Sequence, residues 1–350
     1  MNIKSLLLGS AAALAVVSGA QAADAIVAAE PEPMEYVRVC DAFGTGYFYI
    51  PGTETCLKIG GYVRTQIAYD EDYNGTADWN PLTRGYLTFA AKSDTEYGAL
   101  SGYINLETND NGDTHLDGAW INIAGFDVGY FYNWWDDGLS GETDSIGSAN
   151  TLTNAIRYTY DGGTFQVGAA VDELRGSTLG YSNDGQATND DVGVSGLLGF
   201  TLGGVTAQII GSYDFNVEEA AFRALLTAEL GPGTFGLAGV YSTDPNYFYD
   251  TAEWTVAAEY KIQATDKFFI TPAAQYFGDV QTLDAIGNNS GDFDGGVDAW
   301  RVGVTAGYQI TEGLRTLATV NYTEADEEDN VLTGSEDNRW TGFLRLQRDF

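Results

Sequence analysis

The chain has little of the chemistry on which enzymes and metal sites depend. Among its 350 residues there is one histidine, His115, and there are two cysteines, Cys40 and Cys56. A zinc-type site needs a cluster of cysteine and histidine ligands, so no metal site is expected, and no motif indicates a cofactor. A hydrolase needs a base beside its nucleophile, and no nucleophile motif lies near His115. These absences argue against an enzyme.

Basic residues are also scarce. Lysine and arginine number 16 against 50 aspartates and glutamates, which leaves a formal net charge of −34. Nucleic-acid binding needs a basic patch or stripe, so a nucleic-acid partner is not expected. After the first 22 residues the chain has no run of 18 consecutive apolar residues, which argues against membrane-spanning helices.

The abundant residues suit strands and turns. The chain has 44 glycines, 22 tyrosines and 17 phenylalanines, and stretches with a helical period are hard to find. Its mean hydropathy of −0.16 is typical of a soluble protein. The same average is expected of a membrane barrel, because its strands alternate between an apolar exterior and a wet lumen.

Residues 1–22 have the pattern of an export signal that is removed from the mature chain. Lys4 is followed by an apolar stretch at 6–17, which is too short to span a bilayer, and by the cleavage pattern Ala20-Gln21-Ala22. An exported chain meets an oxidising compartment, so Cys40 and Cys56 are expected to form a disulfide. The disulfide would lie in an N-terminal segment at 23–56. Closing its loop of about 15 residues would tie down 41–55 and stabilise the protein by roughly 3 kcal/mol.

From residue 57 onwards the chain alternates between apolar and polar residues. In 57–70, for example, Ile59, Val63 and Ile67 share one face, and Arg64 and Gln66 share the other. Short turns alternate with long acidic loops between such segments, which predicts an all-β, antiparallel up-and-down transmembrane barrel over 57–350. The sixteen predicted strands are 57–70, 83–92, 98–107, 116–124, 127–133, 154–160, 164–171, 192–202, 205–214, 220–230, 234–241, 252–261, 267–277, 299–309, 315–323 and 339–350.

Aromatic residues mark the ends of these predicted strands. Tyrosines such as Tyr69, Tyr160 and Tyr308 lie on the apolar face near strand ends, as in the interfacial girdles of membrane barrels. The last predicted strand ends at Phe350, a pattern that resembles the assembly signal of bacterial outer-membrane barrels. Arg348 departs from it, since an apolar residue is usual two positions before the end.

Three stretches resemble one family. The segment EYVRVCDAFGTGYFYIPGTETCLKIGGYVR at 35–64, the leader with the following ADAIVAAEPEP, and the ending RLQRDF cover about a fifth of the chain. They resemble the general porins of alphaproteobacterial outer membranes, the rhizobial type. The resemblance implies a homotrimer of sixteen-stranded barrels in the outer membrane of a Gram-negative bacterium, surrounded by lipids and lipopolysaccharide. It also implies delivery by the outer-membrane assembly machinery and passive diffusion of small hydrophilic solutes and ions.

The segment 134–153 interrupts the alternation with small and acidic residues. A loop this long is usually functional, although its local sequence would equally suit an ordinary surface loop. It is the third long connection in our strand assignment, and the resemblance implies that the third loop folds inward as a constriction. Its carboxylates, which we expect to line that constriction, are Asp136, Asp137, Glu142 and Asp144.

Alternation places arginines on the lumen face of neighbouring strands. Arg64, Arg84 and Arg345 come together if the last strand closes onto the first, and Arg157 and Arg301 lie on lumen faces elsewhere. Opposed to the acidic loop, they would create a transverse field that favours polar solutes. Alternatively, they merely pair with nearby carboxylates. The negative net charge predicts a preference for cations, although charges beyond about 8–10 Å are screened.

Other functions remain open at this stage. A substrate-specific channel would need an aromatic ladder, to which Tyr62, Tyr86 and Tyr103 could contribute. An outer-membrane lipase would depend on His115, and a soluble sugar-binding sandwich would leave the Phe350 ending unexplained. The acidic stretches 292–294 and 326–329 could bind Ca²⁺ or Mg²⁺ beside lipopolysaccharide, but they lack the spacing of a calcium loop and favour solvated loops instead.

Overall fold

The computed structural model describes residues 38–71, 79–148, 150–174, 191–283, 289–293 and 295–350. The predicted export signal, most of the acidic connection 172–191 and Asp294 of the acidic stretch 292–294 lie outside these ranges. The unit Val39–Phe350 carries the architecture described below. No helix among the described residues is long and apolar enough to cross a membrane.

Sixteen long strands make up most of the described chain. They are β1 (Cys56–Asp70), β2 (Trp79–Thr95), β3 (Gly98–Asn109), β4 (Thr114–Ile123), β5 (Phe126–Tyr132), β6 (Leu152–Asp161), β7 (Phe165–Glu173), β8 (Val192–Leu202), β9 (Val205–Asp214), β10 (Glu219–Leu230), β11 (Gly233–Ser242), β12 (Ala252–Gln263), β13 (Phe268–Val280), β14 (Val297–Thr311), β15 (Leu314–Ala325) and β16 (Asn338–Asp349).

Each strand pairs antiparallel with the next along the chain, and the last strand closes the sheet. In the β16–β1 pair Gln347 lies opposite Arg64 and Arg345 lies opposite Gln66. Closure leaves no strand edge exposed, which a sheet in lipid requires because no water is present to satisfy free backbone groups. The predicted sixteen-stranded antiparallel barrel is confirmed.

The alternation predicted for the first strand is present in the structure. Val63 and Ile67 of β1 are 52% and 48% exposed on the outside of the barrel. Arg64 and Gln66, between them in sequence, point into the lumen, where each bonds with a side chain of β16. The exterior is therefore apolar and the interior polar, as a wall between lipid and water requires.

Aromatic rings from neighbouring strands meet near both ends of the barrel, at the depth expected for membrane interfaces. At the short-turn end, Phe126 meets Tyr158 at 4.7 Å and Tyr160 meets Phe165 at 5.7 Å between ring centroids. At the long-loop end the contacting pairs are Tyr69–Trp79, Trp254–Tyr276, Trp300–Tyr322 and Tyr322–Trp340.

Some boundaries differ from the sequence prediction. Strand β2 begins at Trp79 rather than at residue 83, because Trp79 packs on Tyr69 and continues the ladder past Pro81. Strand β6 begins at Leu152, so the third long loop is 133–151.

A register shift in β4 turns Asp117 inward, where its carboxylate accepts hydrogen bonds from the hydroxyls of Tyr86 and Tyr132 at 2.7 Å.

The predicted disulfide between Cys40 and Cys56 is present and buried. It attaches the segment before the barrel to the start of β1, and a two-residue strand, Phe48–Tyr49, pairs with Cys56 and Leu57. Tyr47 packs against both cysteines. The disulfide thus fixes this segment to the base of the first strand, at the short-turn end of the barrel.

Candidate functional site

The third long loop, residues 133–151, crosses the inside of the barrel; we call it the inward loop. It leaves from β5 and returns to β6, yet its backbone and side chains bond with strands on the far wall. The indole nitrogen of Trp135 donates to Ser212 of β9 at 2.8 Å, and the amide of Glu142 donates to Thr305 of β14 at 2.9 Å. The inward-folded third loop of the predicted fold is confirmed.

The inward loop begins with a single 3-10 turn, Trp134–Asp136. The side chain of Asn133 caps this turn by accepting a hydrogen bond from the amide of Trp135 at 2.9 Å. Trp135 is only 1% exposed and its ring lies 6.2 Å from that of Phe248. The large apolar side chain therefore anchors the start of the loop inside the barrel.

Arg223 of β10 fastens both halves of the inward loop. Its guanidinium donates to the carbonyl oxygens of Trp134 at 2.6 Å and Trp135 at 2.9 Å, and to that of Ile146 at 3.4 Å. The side chain is 1% exposed and lies 5.2 Å from the centre of the Trp135 ring. A buried charge is tolerated only when it is well hydrogen-bonded, so this cation depends on the loop as much as the loop depends on it.

Glu259 of β12 holds the tip of the inward loop. Its carboxylate accepts from the amide and hydroxyl of Ser140 at 2.8 and 2.6 Å, and from the amide of Gly141 at 2.8 Å. A Cβ at Gly141 would lie 2.7 Å from a carboxylate oxygen of Glu259, so a larger residue there would displace this carboxylate. Charge-assisted bonds of this kind are about twice as strong as neutral ones.

The four predicted carboxylates of the inward loop point in different directions. Glu142 lies 3.5 Å from the guanidinium of Arg345. Asp136 accepts a hydrogen bond from Thr151 at 2.7 Å, within the same loop. Asp137 and Asp144 line two separate cavities of about 460 and 580 Å³. Among the described residues, only Glu142 of the four reaches an arginine of the predicted basic wall.

The arginines on the opposite wall fall into two groups. Arg64 and Arg345 donate through Nε to Gln347 and Gln66, both at 2.7 Å, so their hydrogen bonds to the wall go to neutral amides. Arg84, which lies opposite Arg64 in the β1–β2 ladder, instead forms an ion pair of 2.9 Å with Glu107.

Two further lumen arginines lie away from this group. Arg157 of β6 forms an ion pair of 3.0 Å with Asp127. Arg301 of β14 donates to Thr323 at 2.8 Å and to the carbonyl of Thr143 in the inward loop at 3.3 Å. The structure therefore brings Arg64, Arg84 and Arg345 together across the closure of the barrel, and places Arg157 and Arg301 elsewhere.

Comparison with known proteins adds family membership to this geometry. A family described as the porin subfamily matches residues 24–349. The chain belongs to this porin family. Outer membrane protein IIIA of Rhizobium leguminosarum bv. viciae is 49% identical, with 95% of this chain and 93% of that protein aligned. Porin Omp2b of Brucella suis biovar 1 is 35% identical over the full length of both chains.

The solved structures agree on the fold. OmpT of Vibrio cholerae, in its trimer form, superposes on 85% of this chain and 100% of its own with a TM-score of 0.62 at 13% identity. At that identity the likeness shows the barrel architecture alone. The family match and the curated relatives identify the protein as an outer-membrane porin of a Gram-negative bacterium. The resemblance of its two ends to such porins implied the same.

Sequence reasoning missed the residues that fasten the porin's inward loop to the wall. Arg223 and Glu259 each stand in the middle of a strand, on the lumen face. A charge on the inward face of a barrel strand was a recognisable signal, and the same alternation that selected Arg64 would have selected both. What it could not supply is the partner, because Arg223 and Trp135 are 88 residues apart in sequence.

Two half-buried carboxylates in the porin's loops form no contact ion pair with a described residue. Burial raises the pKa of Asp144, in the inward loop, to about 6. Burial likewise raises the pKa of Asp250, in the connection between β11 and β12, to about 6. Carboxylates whose pKa is perturbed in this way are enriched at functional sites.

Replacing Arg223 by methionine is expected to release the inward loop while keeping most of the side-chain volume. The carbonyls of Trp134 and Trp135 would lose their donors, and the loss of a charge-assisted bond is typically worth about 1.5–3 kcal/mol. We expect proteolysis of intact, detergent-folded porin to cut within 137–148 in the variant. Arg315→Met, which changes an exposed arginine on β15, serves as the matched control and should leave the loop resistant. Equal resistance of both variants would show that Arg223 does not hold the loop.

Replacing Asp250 by asparagine is expected to stabilise the porin in a pH-dependent way. Because the folded pKa is raised, protonation favours the folded state: this contribution is complete below the unfolded value near 4 and is lost as the pH rises through about 6. The variant and the wild type should therefore melt together at pH 4, and the variant should melt higher at pH 7.5. Thermal unfolding in detergent, followed by circular dichroism, measures this. A difference that is the same at both pH values would contradict the assignment.

Proposed function

We propose that the porin forms a water-filled channel for the passive diffusion of small hydrophilic solutes and ions, with the inward loop as its size limit. A barrel of sixteen strands leaves an aqueous lumen too wide to select by itself. The observation that carries the proposal is the fastening of the inward loop across that lumen by Arg223 and Glu259. A loop held at several points narrows the pore without closing it.

The charges at the narrowed level support a transverse field. Glu142 projects from the inward loop towards Arg345, and Arg64 lies on the adjacent strand with only a neutral amide as its hydrogen-bond partner on the wall. Opposed charges orient water across a pore and disfavour apolar solutes. The remaining acidic residues lie largely in the long loops, and their excess supports a preference for cations at the outer mouth.

Single-channel recording tests both parts of this proposal. In a planar bilayer with a KCl gradient, the mature porin should open in steps and its reversal potential should indicate cation preference. Glu142→Gln should lower the ratio of cation to anion permeability by roughly twofold, because Arg345 would lose its opposing charge. Glu328→Gln is the matched control, because it removes an exposed carboxylate from a long loop outside the constriction, where its charge is screened, and it should change selectivity much less.

The possible outcomes test channel formation separately from the charges that set its selectivity. Openings whose selectivity does not change in Glu142→Gln would keep the channel and remove Glu142 from its filter. Folded, detergent-stable protein that never opens would contradict the channel itself. An anion preference in the wild type would contradict the proposed role of the acidic loops.

A substrate-specific outer-membrane channel is the alternative function. The tyrosines that could contribute to an aromatic ladder are stacked on neighbours: Tyr62 on Tyr86 at 4.9 Å, and Tyr103 on Trp120 at 4.6 Å. The guanidinium of Arg64 lies 4.6 Å from the centre of the Tyr62 ring. Rings that cover one another offer little open face to a sugar, which favours the general porin. Saturable block of the current by a sugar would favour the alternative.

The end of the last strand supports the proposed assembly signal. The backbone of Phe350 pairs with Gly61 in both directions, at 3.0 and 3.2 Å, and its side chain is 60% exposed on the outside. An exposed ring at the barrel rim is accessible to the outer-membrane assembly machinery. The outward aromatic pairs near both rims, in turn, suit contact with lipid and lipopolysaccharide headgroups.

We also propose that three porin chains assemble into a homotrimer. The aromatic pairs of the long-loop end run from β12 through β16 to β2, whereas the outward residues of β3 and β4 include the aliphatic Ile104 and Ile121. A face without interfacial aromatics suits contact with another protein more than with lipid headgroups. This supports β3 and β4 as part of the trimer face.

Electrophoresis without boiling tests the trimer. Wild-type porin should run as an SDS-resistant oligomer that boiling converts to a monomer. Ile104→Arg should abolish the oligomer, because an arginine would be buried unpaired between chains. Val320→Arg, on the outward face of β15 and similarly exposed, is the matched control and should keep it. A wild type that never runs as an oligomer, or an effect of equal size in the two variants, would contradict this trimer face.

A further inference from the structure

A cavity of about 580 Å³ opens on the long-loop side of the inward loop. We call it the outer cavity. It is lined by Asp144 and Ser145 of the inward loop, Asp250 and Thr251 of the connection before β12, and Arg301 and Arg339 of the barrel wall, among others. Its volume lies in the range of small-molecule sites.

The outer cavity is lined by charged groups whose hydrogen bonds to described residues go to neutral groups. Within the part of the chain that the structure describes, the Asp144 carboxylate accepts only from backbone amides, its own and that of Leu139. The Asp250 carboxylate accepts only from its own amide. Arg301 donates to the hydroxyl of Thr323 and to a backbone carbonyl. None of the three forms an ion pair with a described residue.

Arg339 differs from these three groups. Its guanidinium binds Asp70, with Nε at 2.6 Å from one carboxylate oxygen, and its Nη1 donates to the carbonyl of Leu332. Its charge is therefore neutralised by the protein. The outer cavity is left with two carboxylates and one guanidinium that form no contact ion pair with a described residue, although Asp144 lies close enough to Arg223 and Arg301 to feel their charge.

We propose that the outer cavity is a binding subsite for a free α-amino acid, and that basic amino acids bind there most tightly. The ammonium groups of such a solute would pair with Asp250 and Asp144, and its carboxylate would pair with Arg301. Two negative groups against one positive group match a solute that carries two ammonium groups and one carboxylate, as lysine does. The inference rests on the proposed channel function, since the subsite lies on the path into the pore.

The chemistry of this cavity is not repeated on the other side of the inward loop. There a cavity of about 450 Å³ is lined by Lys261, Lys267, Arg315 and Arg345, with Glu142 and Asp266 as its carboxylates. A basic amino acid would be repelled by that excess of positive charge. The attraction therefore does not extend to this second cavity. A third cavity, of about 460 Å³, is acidic through Asp136 and Asp137, but Arg157, the arginine among its described lining residues, is already paired with Asp127 and offers no free cation to a carboxylate.

Half-buried carboxylates without an ion-pair partner cost folding stability, and isosteric neutral residues would avoid that cost. Their presence in two different loops that converge on one cavity is expected if the cavity has a ligand. A passing ammonium group would supply the missing charge. The same carboxylates would then concentrate basic solutes at the entrance to the narrowed pore.

Current fluctuation in a planar bilayer tests the subsite with lysine, glutamate and 1,5-diaminopentane as probes. Lysine added on the long-loop side should interrupt the KCl current in a saturable way, and glutamate should do so more weakly. The diamine lacks the carboxylate for Arg301, so it should also bind more weakly. Asp250→Asn should weaken the interruption by lysine about tenfold, which is the size expected for the loss of one charge-assisted bond.

Glu328→Gln, which removes an exposed carboxylate of the mouth without touching the outer cavity, is the matched control and should leave lysine binding unchanged. Both variants should still open stepwise in KCl, which shows that they are folded and inserted. Unchanged lysine affinity in Asp250→Asn would overturn the subsite, and binding of the diamine as tight as that of lysine would overturn the assignment to amino acids. A wild type without KCl conductance would instead contradict the channel itself.

Discussion

Backbone hydrogen bonding in lipid is the constraint on which this structure depends. A strand in the hydrocarbon layer finds no water, so every amide and carbonyl must be paired with another strand, and the sheet must close. The pairing of β16 with β1 meets that requirement. It also brings together residues from opposite ends of the chain, so Arg345 lies beside Arg64 and Arg84 as a consequence of closure.

A closed barrel of this size creates a second requirement: its lumen must be narrowed before the pore can select solutes by size or charge. The inward loop narrows the lumen because it crosses it and forms hydrogen bonds with the barrel wall at several points. Arg223 and Glu259 are each buried. The two terminal nitrogens of Arg223 and the carboxylate of Glu259 bond mainly with backbone groups of the loop. The wall and the loop therefore form one polar network, in which the loss of either member leaves buried groups of the other unpaired.

Satisfied and unsatisfied charges are distributed unevenly through this lumen. Arg84 and Arg157 are paired with carboxylates and belong to the framework of the wall. Asp250 and Arg301, by contrast, face the outer cavity without ion-pair partners among the described residues. The paired arginines thus stabilise the wall. The groups of the outer cavity that have no ion pair mark where a charged solute could bind.

The sequence by itself determined the barrel, because strand alternation and the short and long connections are local properties that a period of two imposes. It also determined the disulfide and which loop interrupts the pattern.

Only the tertiary structure decided where that loop's carboxylates point: Glu142 meets Arg345, Asp136 bonds within the loop, and Asp144 turns to the outer cavity. These contacts join residues as far apart as 203 positions, as Glu142 and Arg345 are. Neither periodicity nor composition carries such information, because the direction of a loop side chain depends on the wall against which the loop packs.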